Sequence, residues 1–112
     1  MTNPAKMKGS QWERDIVSYL VAHGFPYAER RYGAGATLDK GDITGVMPGL
    51  VIEAKNHQKL DLAGWIGEAE RERINAKAKV GVVIAKRRGK SAEHGYVIMT
   101  LATFADLLKD DF

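Results

Sequence analysis

The chain has 112 residues, with 17 Lys plus Arg against 14 Asp plus Glu for a net charge of +3. That length supports one domain, over 1–112, whose core is modest, so that self-association as a homodimer would bury further surface. Cysteine is absent, which excludes disulfides and thiolate metal sites. No apolar run reaches the roughly 18 residues of a membrane span, and the polar amino terminus lacks a signal peptide's apolar core. A soluble chain in a reducing cytoplasm, with no membrane partner, is the expectation.

Residues 1–9 carry Pro4, Lys6 and Lys8 without periodicity and read as a flexible basic arm. Ser10 then opens a first helix, with Trp12, Ile16, Tyr19, Leu20 and His23 at helical spacing and Gly24 at the cap position. A strand is expected over 25–32, with Pro26 near its start marking an edge. Gly33-Ala34-Gly35-Ala36-Thr37 forms a loop that carries Asp39 and Lys40 towards the next strand. Strands over 42–46 and 50–56 flank Met47-Pro48-Gly49, whose Pro-Gly pair signals a hairpin turn.

Asp61 is placed to cap a second helix reaching about Ala78, with Leu62, Trp65, Ile66, Ala69 and Ile74 on one side and Lys77 and Lys79 at its end. Val80 to Ala85 is a continuous apolar run, the pattern of a strand covered on both faces. A basic loop over 87–95, a fifth strand over 96–102 and a short helix begun by Thr103 and Asp106 complete the chain. The class is α/β, in the order α-β-β-β-α-β-β-α.

The chemistry concentrates in Gly41-Asp42-Ile43 and Val51-Ile52-Glu53-Ala54-Lys55. A turn centred on Pro48 and Gly49 would set Asp42 across from Lys55 and Thr44 across from Glu53, all four on one face. Cross-strand neighbours lie about 5 Å apart, so two hard oxygen donors would be spaced to suit Mg2+ or Mn2+. A solvated face on which Asp42 and Lys55 merely pair fits the same spacing. Glu13 is a third acid, and Ser10 with Glu13 also matches a capping box, in which the glutamate serves the helix start. His57 and His94 read as exposed loop residues, and Trp12 and Trp65 as core. Basic residues cluster at Lys6 and Lys8, at Arg30 and Arg31, and at Lys86, Arg87, Arg88 and Lys90. Such clusters are the footprint of polyanion binding, and equally the composition of solvated loops.

Together, Lys8-Gly9-Ser10-Gln11-Trp12-Glu13-Arg14, the glycine-rich loop, Gly41-Asp42-Ile43 and Glu53-Ala54-Lys55 resemble the PD-(D/E)XK nuclease superfamily, nearest to the archaeal-type and phage Holliday-junction resolvases. The likeness runs from Lys8 to about Ala85. It implies a restriction-endonuclease-like mixed five-stranded sheet flanked by helices, a homodimer, and Mg2+-dependent DNA hydrolysis in a prokaryotic or phage-infected cell, with Mn2+ as substitute. Glu13, Asp42, Glu53 and Lys55 would then be catalytic. Asp42, Glu53 and the Ala54 carbonyl would ligate the metal, with Glu13 reaching it through water. Lys6, Lys8, Arg14, Arg30, Arg31, Lys40, Gln58, Lys86, Arg87, Arg88 and Lys90 would hold the DNA, a four-way junction or another branched form. Gly41 stands where the superfamily commonly has proline, a change expected to cost little, and Ala34 and Ala36 leave only Thr37 as a loop hydroxyl.

Overall fold

The computed structural model describes residues 4–31 and 41–109. The elements are α1 (Pro4–Ala22), β1 (Glu29–Arg30), β2 (Ile43–Thr44), β3 (Leu50–Lys55), α2 (Leu62–Asn75), β4 (Val80–Ala85), a 3-10 turn (Ala92–His94), β5 (Tyr96–Ile98) and α3 (Leu101–Lys109). The five strands form one sheet in chain order, with β3 and β4 parallel and every other neighbouring pair antiparallel. The class and the element order are those expected.

Helix α1 begins six residues earlier than expected. Pro4 occupies a first turn, where its missing N–H costs nothing, and Ala5, Lys6, Met7 and Lys8 all favour helix, so the described part of the expected arm, residues 4–9, is helical. Ser10 is consequently a mid-helix residue. The capping-box explanation of Glu13 fails with it.

Alternation divides the sheet into two faces. Trp12 and Ile16 of α1 pack on Ile43, Ile52 and Val82, with Ala54 and Ile84 beside them, and the buried Trp12 donates from Nε1 to the Ile84 carbonyl at 3.1 Å. On the opposite face Trp65 and Ala69 of α2 pack on Val83 and Ala85. Helix α2 is the crossover between the parallel strands, and Gly81 lets it lie close: a Cβ there would stand 2.8 Å from the Ala69 carbonyl oxygen. Asp61 caps it as expected, accepting from the Gly64 amide at 3.1 Å. Its buried stripe is Trp65, Ala69 and Glu72, whereas Leu62 and Ile74, expected in the core, are exposed. The helix ends at Asn75, short of Ala78, and Lys77 takes a positive φ just beyond it.

The edge elements are shorter than the sequence pattern suggested. Residues 25–28 are turn and not strand, and β5 stops at Ile98 because the Thr100 hydroxyl accepts from the Thr103 amide at 3.1 Å and starts α3 there. Thr100, not Thr103, therefore caps the last helix. Tyr32, the loop from Gly33 to Thr37, Asp39 and Lys40 lie outside the described residues.

The hairpin turn sits one residue earlier than expected, so Ile43 pairs with Ile52. This shifts the register by two residues, which preserves the faces but sets Asp42 level with Glu53 instead of Lys55. Gly41 leads into β2 with φ +94°, where a Cβ would meet Val51 Cγ1 at 2.5 Å. Proline, locked near φ −65°, does not fit this backbone, so glycine here is more than a low-cost replacement. Gly41→Ala is expected to lower stability by about 1–3 kcal/mol in urea denaturation, the usual cost of a side chain held in the left-handed region.

Candidate active site

Asp42, directly before β2, and Glu53 and Lys55 of β3 are presented to the face covered by α2. Asp42 reaches along the sheet, and its Oδ2 accepts the Ala54 amide at 2.8 Å. In an extended strand the N–H and C=O of one residue project towards the same edge, so the Ala54 carbonyl also faces the Asp42 side. Burial, and then the charge of Glu53, push the Asp42 carboxyl up to about 7, against the opposing pull of the Ala54 amide; Glu13 adds a smaller push. The acid pair is thus close enough for its two members to resist ionising together.

Lys55 lies between two carboxylates. Its Nζ is 3.5 Å from Glu53 Oε1 and 2.7 Å from Glu68 Oε2. Burial pulls the ammonium pKa down, but the hydrogen bond to Glu68 and the charge of Glu53 outweigh it, leaving the pKa above the ordinary lysine value. At neutral pH Lys55 is a cation. It can donate hydrogen bonds and offset negative charge, and it cannot serve as a proton-accepting base.

Helix α2 supplies two acids that the sequence pattern did not single out, Glu68 and Glu72. One oxygen from each of Glu53, Glu68 and Glu72 lies within 4.8 Å of the others, with Glu53 6% and Glu72 2% exposed. A hard divalent ion binds oxygens at about 2.0–2.6 Å, so donors up to about twice that distance apart can share one. The donor chemistry fits Mg2+ or Mn2+. Glu72 also approaches β2, its Oε2 lying 3.7 Å from where a Gly41 Cβ would stand. Charged residues four apart on an amphipathic helix ordinarily read as a solvated face; the usable signal was that a crossover helix following β3 must cover one face of that strand.

Glu13 does not join this group. It lies on the α1 side of the sheet, near enough to influence Asp42, and its Oε1 accepts from Arg30 Nε at 3.0 Å. An expected metal-binding acid and an expected DNA-binding cation therefore hold each other. Arg31 anchors the neighbouring backbone, its amide donating to the Asp42 carbonyl at 2.8 Å.

The expected DNA contacts fall on two surfaces. Lys8, Gln58, Lys86, Arg87 and Arg88 line one cleft of about 530 Å3 at the carboxyl ends of the parallel strands, with Asn56, the residue after Lys55, also in its wall. There Arg87 lies 5.4 Å from the Tyr96 ring centre, and Lys86 lies 5.0 Å from that of Trp12 while donating to the Lys90 carbonyl at 2.8 Å. Arg14, Arg30 and Arg31 line a second cleft beside β1. The Lys6 side chain and Lys40 lie outside the described residues. His57 and His94 are exposed, and Trp65 is core, as the sequence suggested.

Among the described residues no helix is long and apolar enough to cross a membrane. Comparisons with protein-family models, with curated proteins and with solved structures found no match.

Proposed function

We propose that this chain is a Mg2+-dependent, structure-selective DNA endonuclease of restriction-endonuclease-like fold, acting on four-way junctions as a Holliday-junction resolvase. The observation that carries the reading is the Asp42–Glu53 acid pair with the Lys55 ammonium on one sheet face, next to a cleft lined by Lys8, Lys86, Arg87 and Arg88. A site holding more carboxylates than cations favours a divalent ion, and a neighbouring basic cleft favours a polyanion. The junction preference rests on the likeness of the Lys8-to-Arg14 and Glu53-to-Lys55 motifs to the resolvases.

Asp42 and Glu53 would hold the ion, with the Ala54 carbonyl as a further ligand; Glu13, on the α1 side of the sheet and paired with Arg30, would act on the site only through its charge. When bound, Mg2+ supplies activation of water and neutralises charge growing on the scissile phosphate. Lys55, as a fixed cation, donates to the attacking water or to a phosphate oxygen as negative charge develops there. Residues of the basic cleft hold adjacent phosphates without reading sequence, so affinity falls steeply with salt. The working form is a homodimer, which brings two such sites to the two strands of a junction. The exposed Leu101, Phe104 and Leu108 of α3 offer apolar surface for pairing.

The test offers purified protein a mobile four-way junction and a linear duplex of the same sequence, in one reaction with Mg2+. Cleavage confined largely to the junction is expected. Equal rates would leave a less selective nuclease, and intact substrates would leave a DNA- or partner-binding module without turnover.

A further inference from the structure

Lys55 has two carboxylate neighbours, and they do not share it equally. Nζ is in hydrogen-bond contact with Glu68 at 2.7 Å and keeps a longer ion-pair contact with Glu53 at 3.5 Å. Glu53 is buried on the strand, whereas the Glu68 carboxylate is over a third exposed and is held on a different element. An ammonium released from Glu68 would have Glu53 as its nearest anion. A tight Lys55–Glu53 pair would then compete with any cation for the Glu53 oxygens, because one carboxylate satisfied by an internal cation attracts a second more weakly.

We infer that Glu68 is a positioning residue that holds the Lys55 ammonium at the longer of its two contacts from Glu53 and so weakens its competition with a divalent cation for the Glu53 oxygens. The inference rests on the metal-dependent reading above, and it gives a role to a residue of α2 that lies outside both sequence motifs. Glu68 acts through Lys55. Its effect on cation binding therefore depends on Lys55 being present, which separates this role from direct ligation and from simple attraction through space.

The experiment is a double-mutant cycle read by Mn2+ binding to the full chain, using Glu68→Gln, Lys55→Met and the pair together. Through-space attraction acts in both backgrounds, so only the excess loss in the presence of Lys55 measures positioning. Glu68→Gln is expected to weaken Mn2+ about tenfold in the wild-type background and at least fivefold less than that in the Lys55→Met background. An equal loss in both backgrounds overturns the positioning role and leaves the nuclease reading standing. Absence of Mn2+ binding by the wild-type protein overturns both. A crystal structure of metal-free Glu68→Gln gives a second readout: Lys55 Nζ is expected to close on Glu53 from 3.5 Å to a direct charge-assisted hydrogen bond of about 2.8 Å, and an unchanged separation contradicts the inference.

Discussion

Asp42→Asn is expected to stabilise the metal-free protein at pH 8. Burial and the facing Glu53 raise the Asp42 carboxyl from 3.8 to about 7. Between those values the folded chain holds a proton that the unfolded chain has released, so stability falls as pH rises through the window. At about 1.4 kcal/mol per pH unit the full effect is about 4 kcal/mol. Asparagine keeps an oxygen to accept the Ala54 amide and cannot ionise, so the substitution removes the destabilising charge while retaining the hydrogen bond. Urea denaturation should show a gain of about 2–4 kcal/mol at pH 8 that largely vanishes by pH 4. Equal or lower stability of the variant at pH 8 would contradict the assignment. A carboxylate retained at such a cost is the pattern of a residue kept for chemistry.

Glu53→Gln is expected to reduce DNA cleavage by about 10²-fold or more, the scale on which a directly acting charged or polar group contributes to stabilising a transition state. Glutamine fills the same volume, and Lys55 keeps Glu68 as its nearer partner, so the fold should persist. DNA affinity should persist as well, because the cations of Lys8, Lys86, Arg87 and Arg88 are untouched. Single-turnover rates with saturating junction isolate the chemical step from binding. Lost binding in place of lost turnover would move Glu53 from the reaction to the scaffold.

Much of this arrangement is legible in the sequence because periodicity carries it. The run from Val80 to Ala85 gives a strand with its bounds unchanged, interior to the sheet although the central place belongs to β3, and Asp61 marks the start of α2 because its side chain caps locally. The register of the hairpin was harder to read. Met47-Pro48-Gly49 announces a turn, but moving its centre by one residue trades the partner of Asp42 from a lysine to a glutamate. The faces are the same in either register because strand side chains alternate with period two. Glu13 was ambiguous for a different reason: a capping box and a functional acid share one spacing, and the extra helical turn from Pro4 decides against the box. Glu68 and Glu72 stayed hidden because their place depends on the path of a crossover helix over the sheet, which no local pattern encodes. The acid pair was legible as a motif; its raised proton affinity and the shared ammonium are tertiary properties.

The most direct test of the account is the single-turnover rate of cleavage of a mobile four-way junction by wild-type protein and Glu53→Gln, measured side by side as Mg2+ is raised from none, under a chelator, into the roughly millimolar range expected of few-carboxylate sites. Expected are no cleavage under chelator, a saturable rise with Mg2+ for the wild-type chain, and a rate at least about 10²-fold lower for the variant at every concentration. Cleavage that persists under chelator, or that Glu53→Gln leaves undiminished, would contradict the proposed function.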